Sequence, residues 1–313
     1  MRHKQPEIDV IITVYKPDKK FRHLLVRLHC QILPPSRIIL LNTGRQHWRK
    51  EWIKDIPEAE VYHIRECEYD HGGTRCMGAE LSTAEYMVFM TQDAVPADER
   101  LLSRMYYAMK DPQIAVAYAR QLPNPGSSPV DAYTRSFNYP KESVKKTKKE
   151  IETLGIKAFF CSDVCAIYRR SDYLLLGGFP RSAIFNEDMI FARKALDAGK
   201  AVYYAADARV YHSHNYISMQ QLRRNFDLAV SQEQNPQTFA GISSETEGIR
   251  MVKATAEYLI KTKRWYLIPS LFLNSIAKYT GYQLGRHYKR IPRRWILYLT
   301  NNKNYWLKRW SAQ

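Results

Sequence analysis

The stretch from Glu85 to Pro96 constrains the fold more than any other part of the sequence. Its first part, Tyr86 to Met90, is a run of five large apolar residues, which is typical of a central strand buried on both faces. The run ends at Thr91-Gln92-Asp93, and Pro96 prevents further pairing in a sheet. Asp93 therefore stands at the carboxyl end of a buried strand, the edge at which open α/β sheets bind ligands.

Strands and helices alternate along the first part of the chain. The apolar run Asp9 to Val14 indicates a strand, and it is followed by apolar residues at helical spacing, namely Phe21, Leu24, Leu25, Leu28 and Ile32. Repeated to about Arg120, this alternation predicts an α/β fold with a mostly parallel sheet, right-handed crossovers and flanking helices.

The pattern becomes less regular after Arg120. Lys141 to Glu150 contains five lysines, and we expect either a solvated helix or a mobile segment near the site. Shorter strands are predicted at Phe159 to Arg170 (bent or paired), Ala201 to Ala205 and Arg209 to Tyr211. From Ser218 onward the sequence is typical of helices.

The composition indicates a globular protein. The chain has 313 residues, 45% of them hydrophobic, and no apolar run approaches the ~20 residues that cross a bilayer. The first seven residues, which include Arg2 and Lys4, do not resemble a signal peptide. The five cysteines show no Cys-x-x-Cys spacing, so we expect reduced thiols in a cytoplasmic protein.

Positive charge is concentrated in the last part of the chain. The net charge is +17, and from Arg250 onward there are 14 Lys or Arg against one acid, Glu257. Apolar residues in this tail recur at helical spacing, with Pro269 expected to bend the helix near its start; they are Trp265, Ile268, Phe272, Ile276 and Tyr279. Such a tail predicts attachment to an anionic membrane surface or, remotely, nucleic-acid binding. A solvated basic face over an ordinary core is the third interpretation.

Two further motifs contain residues suited to catalysis. Asn186-Glu187-Asp188 stands at a predicted helix start after a Gly-Gly-Phe-Pro turn, where acids also occur simply as caps. His212-Ser213-His214 directly follows a predicted strand. Alternation along an extended chain places both imidazoles on one face, where they can approach one metal ion. Two structural histidines are the alternative.

Taken in order, these motifs resemble the inverting family 2 glycosyltransferases, which have the GT-A fold. The resemblance covers roughly residues 7 to 230. It rests on Ile-Ile-Thr-Val-Tyr at 11 to 15, Gly-Gly-Thr-Arg-Cys-Met-Gly-Ala at 72 to 79, Phe-Met-Thr-Gln-Asp-Ala-Val-Pro at 89 to 96, Gly-Gly-Phe with Asn-Glu-Asp, and Tyr-His-Ser-His-Asn-Tyr at 211 to 216. The variants His-Gly-Gly-Thr-Arg and Thr-Gln-Asp-Ala-Val-Pro, with Lys-Tyr-Thr-Gly-Tyr-Gln-Leu-Gly at 278 to 285, are most similar to a bacterial rhamnosyltransferase branch.

The resemblance implies a role for each matching residue. Asp188 corresponds to the catalytic base, and Asp93 to the last acid of the family's Asp-x-Asp motif, which holds Mg²⁺ or Mn²⁺ on the diphosphate with His212 or His214. The resemblance implies three donor-binding residues around the nucleobase, namely Thr13, Val14 and Tyr15, with Asn42 where the family often has an acid that contacts the base. It places Arg75 at the diphosphate, and it adds Gln92 and Asp93 to the donor-binding residues. The sequence departs from the family pattern at Thr91, in place of the first acid, and at Cys76, in place of an Asn.

The resemblance also implies a reaction and a location. The expected reaction moves L-rhamnose from dTDP-L-rhamnose onto a lipid-linked glycan in cell-surface polysaccharide synthesis, with a UDP-hexose as the alternative donor. The expected domains are a GT-A catalytic domain at 1–230, with a nucleotide-sugar half at about 7–120 and an acceptor half at 121–230, and a basic helical extension at 231–313. The expected location is the cytoplasm, at the inner face of the cell membrane.

Overall fold

A nine-stranded mixed sheet forms the centre of the protein. The computed structural model describes residues 5–213, 217–241 and 245–311. The strands are β1 Ile8–Tyr15, β2 Arg37–Thr43, β3 Ala59–Ile64, β4 Tyr86–Thr91, β5 Val95–Pro96, β6 Ile114–Leu122, β7 Val144–Lys146, β8 Cys165–Arg169 and β9 Ala201–Tyr211. Their order is β3-β2-β1-β4-β8-β6-β9-β5, with β7 paired to β9.

Thirteen α-helices are described, either around the sheet or in the carboxyl-terminal region of the chain. They are α1 Lys19–His29, α2 His71–Leu81, α3 Leu101–Ala108, α4 Pro129–Asn138, α5 Ile151–Leu154, α6 Arg170–Leu175, α7 Glu187–Asp197, α8 Ser218–Gln234, α9 Pro236–Phe239, α10 Glu245–Lys261, α11 Ile268–Arg286, α12 Arg293–Leu299 and α13 Lys303–Ser311. The α/β class with flanking helices and a helical carboxyl-terminal region is thus as predicted.

The direction of β8 determines where the site forms. β3, β2, β1 and β4 are parallel, as predicted, but β8 runs antiparallel to both β4 and β6. Cys165 at the start of β8 pairs with Met90 at the end of β4. The loop before β8 therefore lies at the same edge of the sheet as Asp93, and the sheet is mixed rather than parallel throughout.

Alternation along the strands creates a core on each face of the sheet. Val10 and Ile12 of β1 pack in the cluster that contains α1 and α3 residues, whereas Ile11 faces the cluster with residues of α2 and α7. All three side chains are at most 1% exposed. Burial of both faces explains why β1 and β4 are almost continuously apolar.

The lysine-rich segment is neither a helix nor solvated throughout. It contains β7 and a 3₁₀ turn at Lys148–Glu150, and Lys146 is only 4% exposed. The Lys146 ammonium donates to Tyr118 Oη at 3.1 Å and to the carbonyls of Lys157 and Phe160 at 2.8 Å. These three acceptors make its burial tolerable, although burial lowers the pKa of Lys146 to about 7.

Two other strand predictions require correction. Only Cys165–Arg169 of the predicted 159–170 segment is a strand, because residues 159–164 form a loop and a turn, and Arg170 begins α6. The two short strands predicted after residue 200 are one strand, β9, whose register with β6 shifts between Ala205 and Arg209. This irregularity interrupts the apolar pattern, so the sequence looks like two short strands separated by a break.

The carboxyl-terminal helices pack closely on α8. Ala in place of Gly281 or Gly285 would bring a Cβ to 2.1 Å from the Leu222 carbonyl oxygen or 2.4 Å from that of Phe226. These two glycines, four residues apart, therefore permit the close approach of α11 to α8. The domain boundary expected at residue 230 stays a prediction. The helix α8 continues through that residue.

The start of α11 differs from the expectation of a bent helix. Pro269 lies in its first turn, and Trp265 belongs to a preceding 3₁₀ turn. Proline is well accommodated there because a first-turn N–H has no helical partner. Within the described residues, no helix is both long enough and apolar enough to cross a membrane.

Candidate active site

A cavity of about 520 Å³ opens at the carboxyl edge of the sheet, between β1, β4 and the start of α2. Five of the predicted donor-binding residues line it, namely Thr13, Val14, Tyr15, Arg75 and Gln92. Residues 301–305, between α12 and α13 and at the start of α13, form another part of its wall. The cavity thus includes a segment that sequence reasoning assigned to the tail.

Gln92 fixes the ends of two strands at this cavity. Its side-chain amide donates to the Tyr15 carbonyl at 2.9 Å, and its oxygen accepts the Tyr15 N–H at 2.7 Å. Asn42, by contrast, is fully buried and does not line the cavity. Its amide group donates to the Gly44 carbonyl at 3.3 Å, while Asn42 Oδ1 has no hydrogen-bond partner in the described part of the chain.

Asp93 and His212 lie side by side. His212 Nε2 is 3.5 Å from Asp93 Oδ2, and His212 Nδ1 is 2.9 Å from Gln121 Oε1. Arg135, which can only donate, contacts the same Gln121 oxygen, so this atom is the carbonyl oxygen and His212 Nδ1 carries the proton. In the neutral imidazole the lone pair on His212 Nε2 therefore faces Asp93, as in a metal-binding histidine whose other nitrogen donates.

Asp93 and His212 are two of the three expected metal ligands. His214 lies outside the described residues. Among residues 5–213, 217–241 and 245–311, no group of three or more His, Cys, Asp and Glu side chains is arranged to hold a metal ion. Asp93 and His212 thus form a two-residue pair beside the cavity.

Asp188 is held at the start of α7 by a local backbone turn. Asn186 adopts a left-handed conformation, with φ of 63°, which Asn tolerates better than most residues. Asp188 accepts the N–H groups of Asp163 at 3.1 Å and Met189 at 2.7 Å. Burial and the charge of Glu187 raise the pKa of Asp188 to about 6. A half-buried carboxylate with this pKa suits general-base chemistry near neutral pH.

Arg75 joins the cavity to the Asp188 turn. Its Nη1 lies 3.0 Å from Glu187 Oε1 and its Nε 3.3 Å from Asp163 Oδ2, and all three side chains are at most 5% exposed. Burial opposes ionisation of Glu187, but the charges of Arg75 and His71 outweigh it and lower the pKa of Glu187 to about 2. The expectation that Arg75 faces a diphosphate omitted this pairing with two carboxylates.

Asp163 is a site residue that sequence reasoning missed. Besides its contacts with Arg75 and Asp188, it accepts the Tyr168 hydroxyl at 2.7 Å. Burial and the charge of Asp188 raise the pKa of Asp163 well above its ordinary value, despite Arg75. Its sequence signal is weak, because a single acid before a short strand is common. Only the antiparallel entry of β8 brings it to the site.

The glycines at the start of α2 bring that helix against the chain before α7. A Cβ on Gly72 would lie 2.2 Å from the Pro180 carbonyl oxygen. Asp70 caps the helix by accepting the Gly73 N–H at 2.8 Å, and the same oxygen accepts the Ala183 N–H at 3.1 Å. The Gly-Gly motif thus serves close backbone packing that positions Arg75 beside Glu187.

Comparison with known proteins identifies the family. Residues 9–175 match the sequence model described as Glycosyl transferase family 2. The O-antigen chain rhamnosyltransferase RfbN of Salmonella typhimurium is 35% identical over 304 residues, covering 96% of each chain. The O-antigen chain rhamnosyltransferase WbaN of Salmonella anatum is 35% identical over 276 residues, covering 87% of this chain and 86% of that relative.

Solved structures with low sequence identity share the fold. The mannosyltransferase PcManGT from Pyrobaculum calidifontis, in complex with GDP-Man and Mn²⁺, matches with a TM-score of 0.56 at 14% identity, over 99% of this chain and 89% of that one. A fragment of S. aureus TarS matches with a TM-score of 0.51 at 15% identity, over 91% of each chain. These likenesses confirm the predicted GT-A fold. The family match and the two relatives at 35% identity establish that this chain belongs to glycosyl transferase family 2.

Proposed function

We propose that the protein is an inverting rhamnosyltransferase, which moves L-rhamnose from dTDP-L-rhamnose onto a lipid-linked glycan in cell-surface polysaccharide synthesis. The observation that carries this proposal is the similarity to two O-antigen chain rhamnosyltransferases, which spans 96% of this chain in one case. A UDP-hexose is the alternative donor. The fold permits it, because a TarS complex with UDP-GlcNAc has the same architecture at a TM-score of 0.51.

Asp188 is the proposed general base. Its carboxylate takes the proton of an acceptor hydroxyl as that oxygen bonds to the anomeric carbon of the sugar. On the opposite face, the bond between this carbon and the diphosphate oxygen breaks, so the configuration inverts. The pKa of about 6 supports this role, because the carboxylate is ionised at neutral pH yet retains basicity. Asp163 and Glu187 keep the Asp188 turn in place through Arg75.

The donor-binding residues keep their proposed roles, with two refinements. Thr13, Val14 and Tyr15 line the cavity at the end of β1 and are proposed to face the base. Gln92 supports this wall through its bonds to the Tyr15 backbone. Asn42 keeps a supporting role, because it directly precedes Thr43, which lines the cavity, and its side-chain amide holds the Gly44 carbonyl at the end of the strand. Arg75 contributes positive potential near the diphosphate despite its carboxylate partners.

Asp93 and His212 are the proposed ligands of Mg²⁺ or Mn²⁺, with His214 as a further candidate. The lone pair on His212 Nε2 and the adjacent carboxylate suit a divalent cation. When bound, the cation stabilises the negative charge of the departing nucleoside diphosphate. A complex of the similarly folded PcManGT contains Mn²⁺, which supports a metal in this fold without specifying one for this chain.

The carboxyl-terminal helices are the proposed membrane contact. Apolar side chains remain exposed in the predicted stripe, namely Trp265 at 67%, Phe272 at 53%, Ile276 at 59% and Tyr279 at 59%. Exposed cations flank them, including Lys261, Lys263, Arg264, Arg286 and Lys289. This combination fits a surface that lies on an anionic leaflet, where a lipid-linked acceptor would be presented.

A donor screen tests the proposed reaction. Purified protein, Mg²⁺ or Mn²⁺ and membranes containing a lipid-linked acceptor are incubated with dTDP-L-rhamnose, UDP-glucose, UDP-galactose or GDP-mannose, and release of nucleoside diphosphate is measured. We expect acceptor-dependent release with dTDP-L-rhamnose and little with the others. The Asp188→Asn variant serves as the inactive control. Preference for a UDP-hexose would overturn the donor assignment but not the family.

A further inference from the structure

The segment between α12 and α13 is built into the donor cavity. Asp227 of α8 is 1% exposed, and its carboxylate holds this segment from beneath. One Asp227 oxygen accepts the Thr300 hydroxyl, and the other accepts the Asn301 N–H at 2.9 Å and the Asn302 side-chain amide at 3.0 Å. Three donors on one buried carboxylate fix the conformation of the segment.

A second set of contacts fixes the segment from the opposite side. The Asn304 side-chain amide donates to the Glu66 carbonyl at 2.7 Å, and the Lys308 ammonium donates to the Glu68 carbonyl at 2.6 Å. Glu66 and Glu68 lie in the 3₁₀ turn between β3 and α2. The segment therefore spans from the carboxyl-terminal helices to the nucleotide-binding half of the protein, and its residues 301–305 line the cavity as a fixed wall.

The charges around the cavity single out one residue of this wall. Apart from histidine, the cationic residues that line the cavity are Arg75 and Lys303. Arg75 is paired with Glu187 and Asp163, so much of its charge is compensated. Lys303 is exposed, and its side-chain ammonium forms no hydrogen bond or ion pair with any residue of the described ranges. A nucleoside diphosphate carries two or more negative charges, which favour an uncompensated cation.

We propose that Lys303 binds the diphosphate of the nucleotide-sugar donor, and that the segment 300–304 completes the donor site. This inference rests on the proposed function, because it requires a nucleotide-sugar donor in this cavity. It assigns the carboxyl-terminal region a part in donor binding as well as its proposed part at the membrane. Lys303 supplies a mobile point charge that can follow the diphosphate as it departs.

Calorimetric titration of the full chain with dTDP and with thymidine tests the assignment. Lys303→Gln is expected to weaken dTDP binding by about tenfold, as for loss of one hydrogen bond to a charged group. Thymidine lacks the diphosphate, so its affinity should be unchanged. Lys303→Arg should retain most of the dTDP affinity. Lys54→Gln is the matched control, because Lys54 is also exposed and does not line the cavity.

The outcomes separate this inference from the proposed function. Equal dTDP affinity of the Lys303→Gln variant and the wild type overturns the contact while leaving the donor assignment intact. Equal weakening of dTDP and thymidine also overturns it, because it would mean that the variant disturbs the wall and not a charge contact. A wild-type protein that binds none of dTDP, UDP and GDP overturns both proposals.

Discussion

Replacing Arg75 by Met is the most direct test of the buried ion cluster. The change removes the only cation within 4.0 Å of both Glu187 and Asp163 in the described part of the chain, while a linear apolar side chain keeps much of the volume. The lowering of the Glu187 pKa from an ordinary 4.5 to about 2 corresponds to about 3 kcal/mol, at 1.36 kcal/mol per pKa unit. With Asp163 also losing its partner, we expect a loss of about 3–5 kcal/mol in the free energy of unfolding.

The pH dependence gives this prediction a definite sign. A carboxylate with a lowered pKa in the folded protein contributes stability above its ordinary pKa, and the contribution is lost as the pH falls toward the folded value. Without Arg75, burial raises the pKa of Glu187 instead. The stability difference between wild type and Arg75→Met should thus be largest at pH 7 and shrink toward pH 4.

Urea unfolding followed by tryptophan fluorescence measures both effects. The matched control is Arg181→Met, because Arg181 pairs with Glu80 at 2.7 Å but the two side chains are 81% and 55% exposed. That variant should lose less than about 1 kcal/mol. Adding Glu187→Gln to Arg75→Met should restore part of the stability. An Arg75→Met loss no larger than that of Arg181→Met, or one independent of pH, would refute the reasoning.

Four further predictions concern catalysis, the metal, the membrane and helix packing. Asp188→Asn should lower turnover by about 10²-fold or more with donor affinity nearly unchanged, and wild-type turnover should fall as the pH drops through about 6, because the base must be ionised; near-normal turnover of the variant would exclude Asp188 as the base. A chelator should abolish activity, and Asp93→Ala or His212→Ala should raise the Mg²⁺ or Mn²⁺ concentration required; full activity in excess chelator would contradict the site. The full chain should co-sediment with vesicles of acidic phospholipid and dissociate as salt rises, since each Lys or Arg near the surface contributes about 1 kcal/mol; equal sedimentation with neutral vesicles would contradict an electrostatic attachment. Gly281→Ala should lower the urea midpoint because its Cβ would lie 2.1 Å from a backbone oxygen of α8, whereas Gly248→Ala, which meets open space, should raise stability by up to about 1 kcal/mol; equal effects would contradict the close packing.

Local patterns in the sequence predict the central elements well. The run Tyr86 to Met90 is a strand buried on both faces, and Phe21, Leu24, Leu25 and Leu28 form the buried face of α1. Ile32, expected on the same face, lies beyond the helix and is 61% exposed. Apolar periodicity reports burial within an element, but it does not determine the residue at which the helix ends.

Features that depend on distant contacts were missed. From the sequence alone, Lys146 would be assigned to the surface, because its three hydrogen-bond acceptors lie far from it in sequence or on another strand. The Asn-Asn-Lys-Asn run at 301–304 reads as an ordinary loop, because nothing local indicates that Asp227 carries it to the donor cavity. The pairing of Arg75 with Asp163 likewise depends on the antiparallel direction of β8.

The ion cluster also restricts how the sequence can change over evolutionary time. Arg75, Asp163 and Glu187 come from three separate segments, yet each is at most 5% exposed and depends on the others for charge compensation. A substitution that removes Arg75 leaves two buried carboxylates without their shared cation, so it is expected to be eliminated unless a second substitution follows quickly. The three positions should therefore vary together among descendants of a common ancestor. Lineages that lost the arginine should also have lost an acid, and those that kept it should have kept at least one of the two acids.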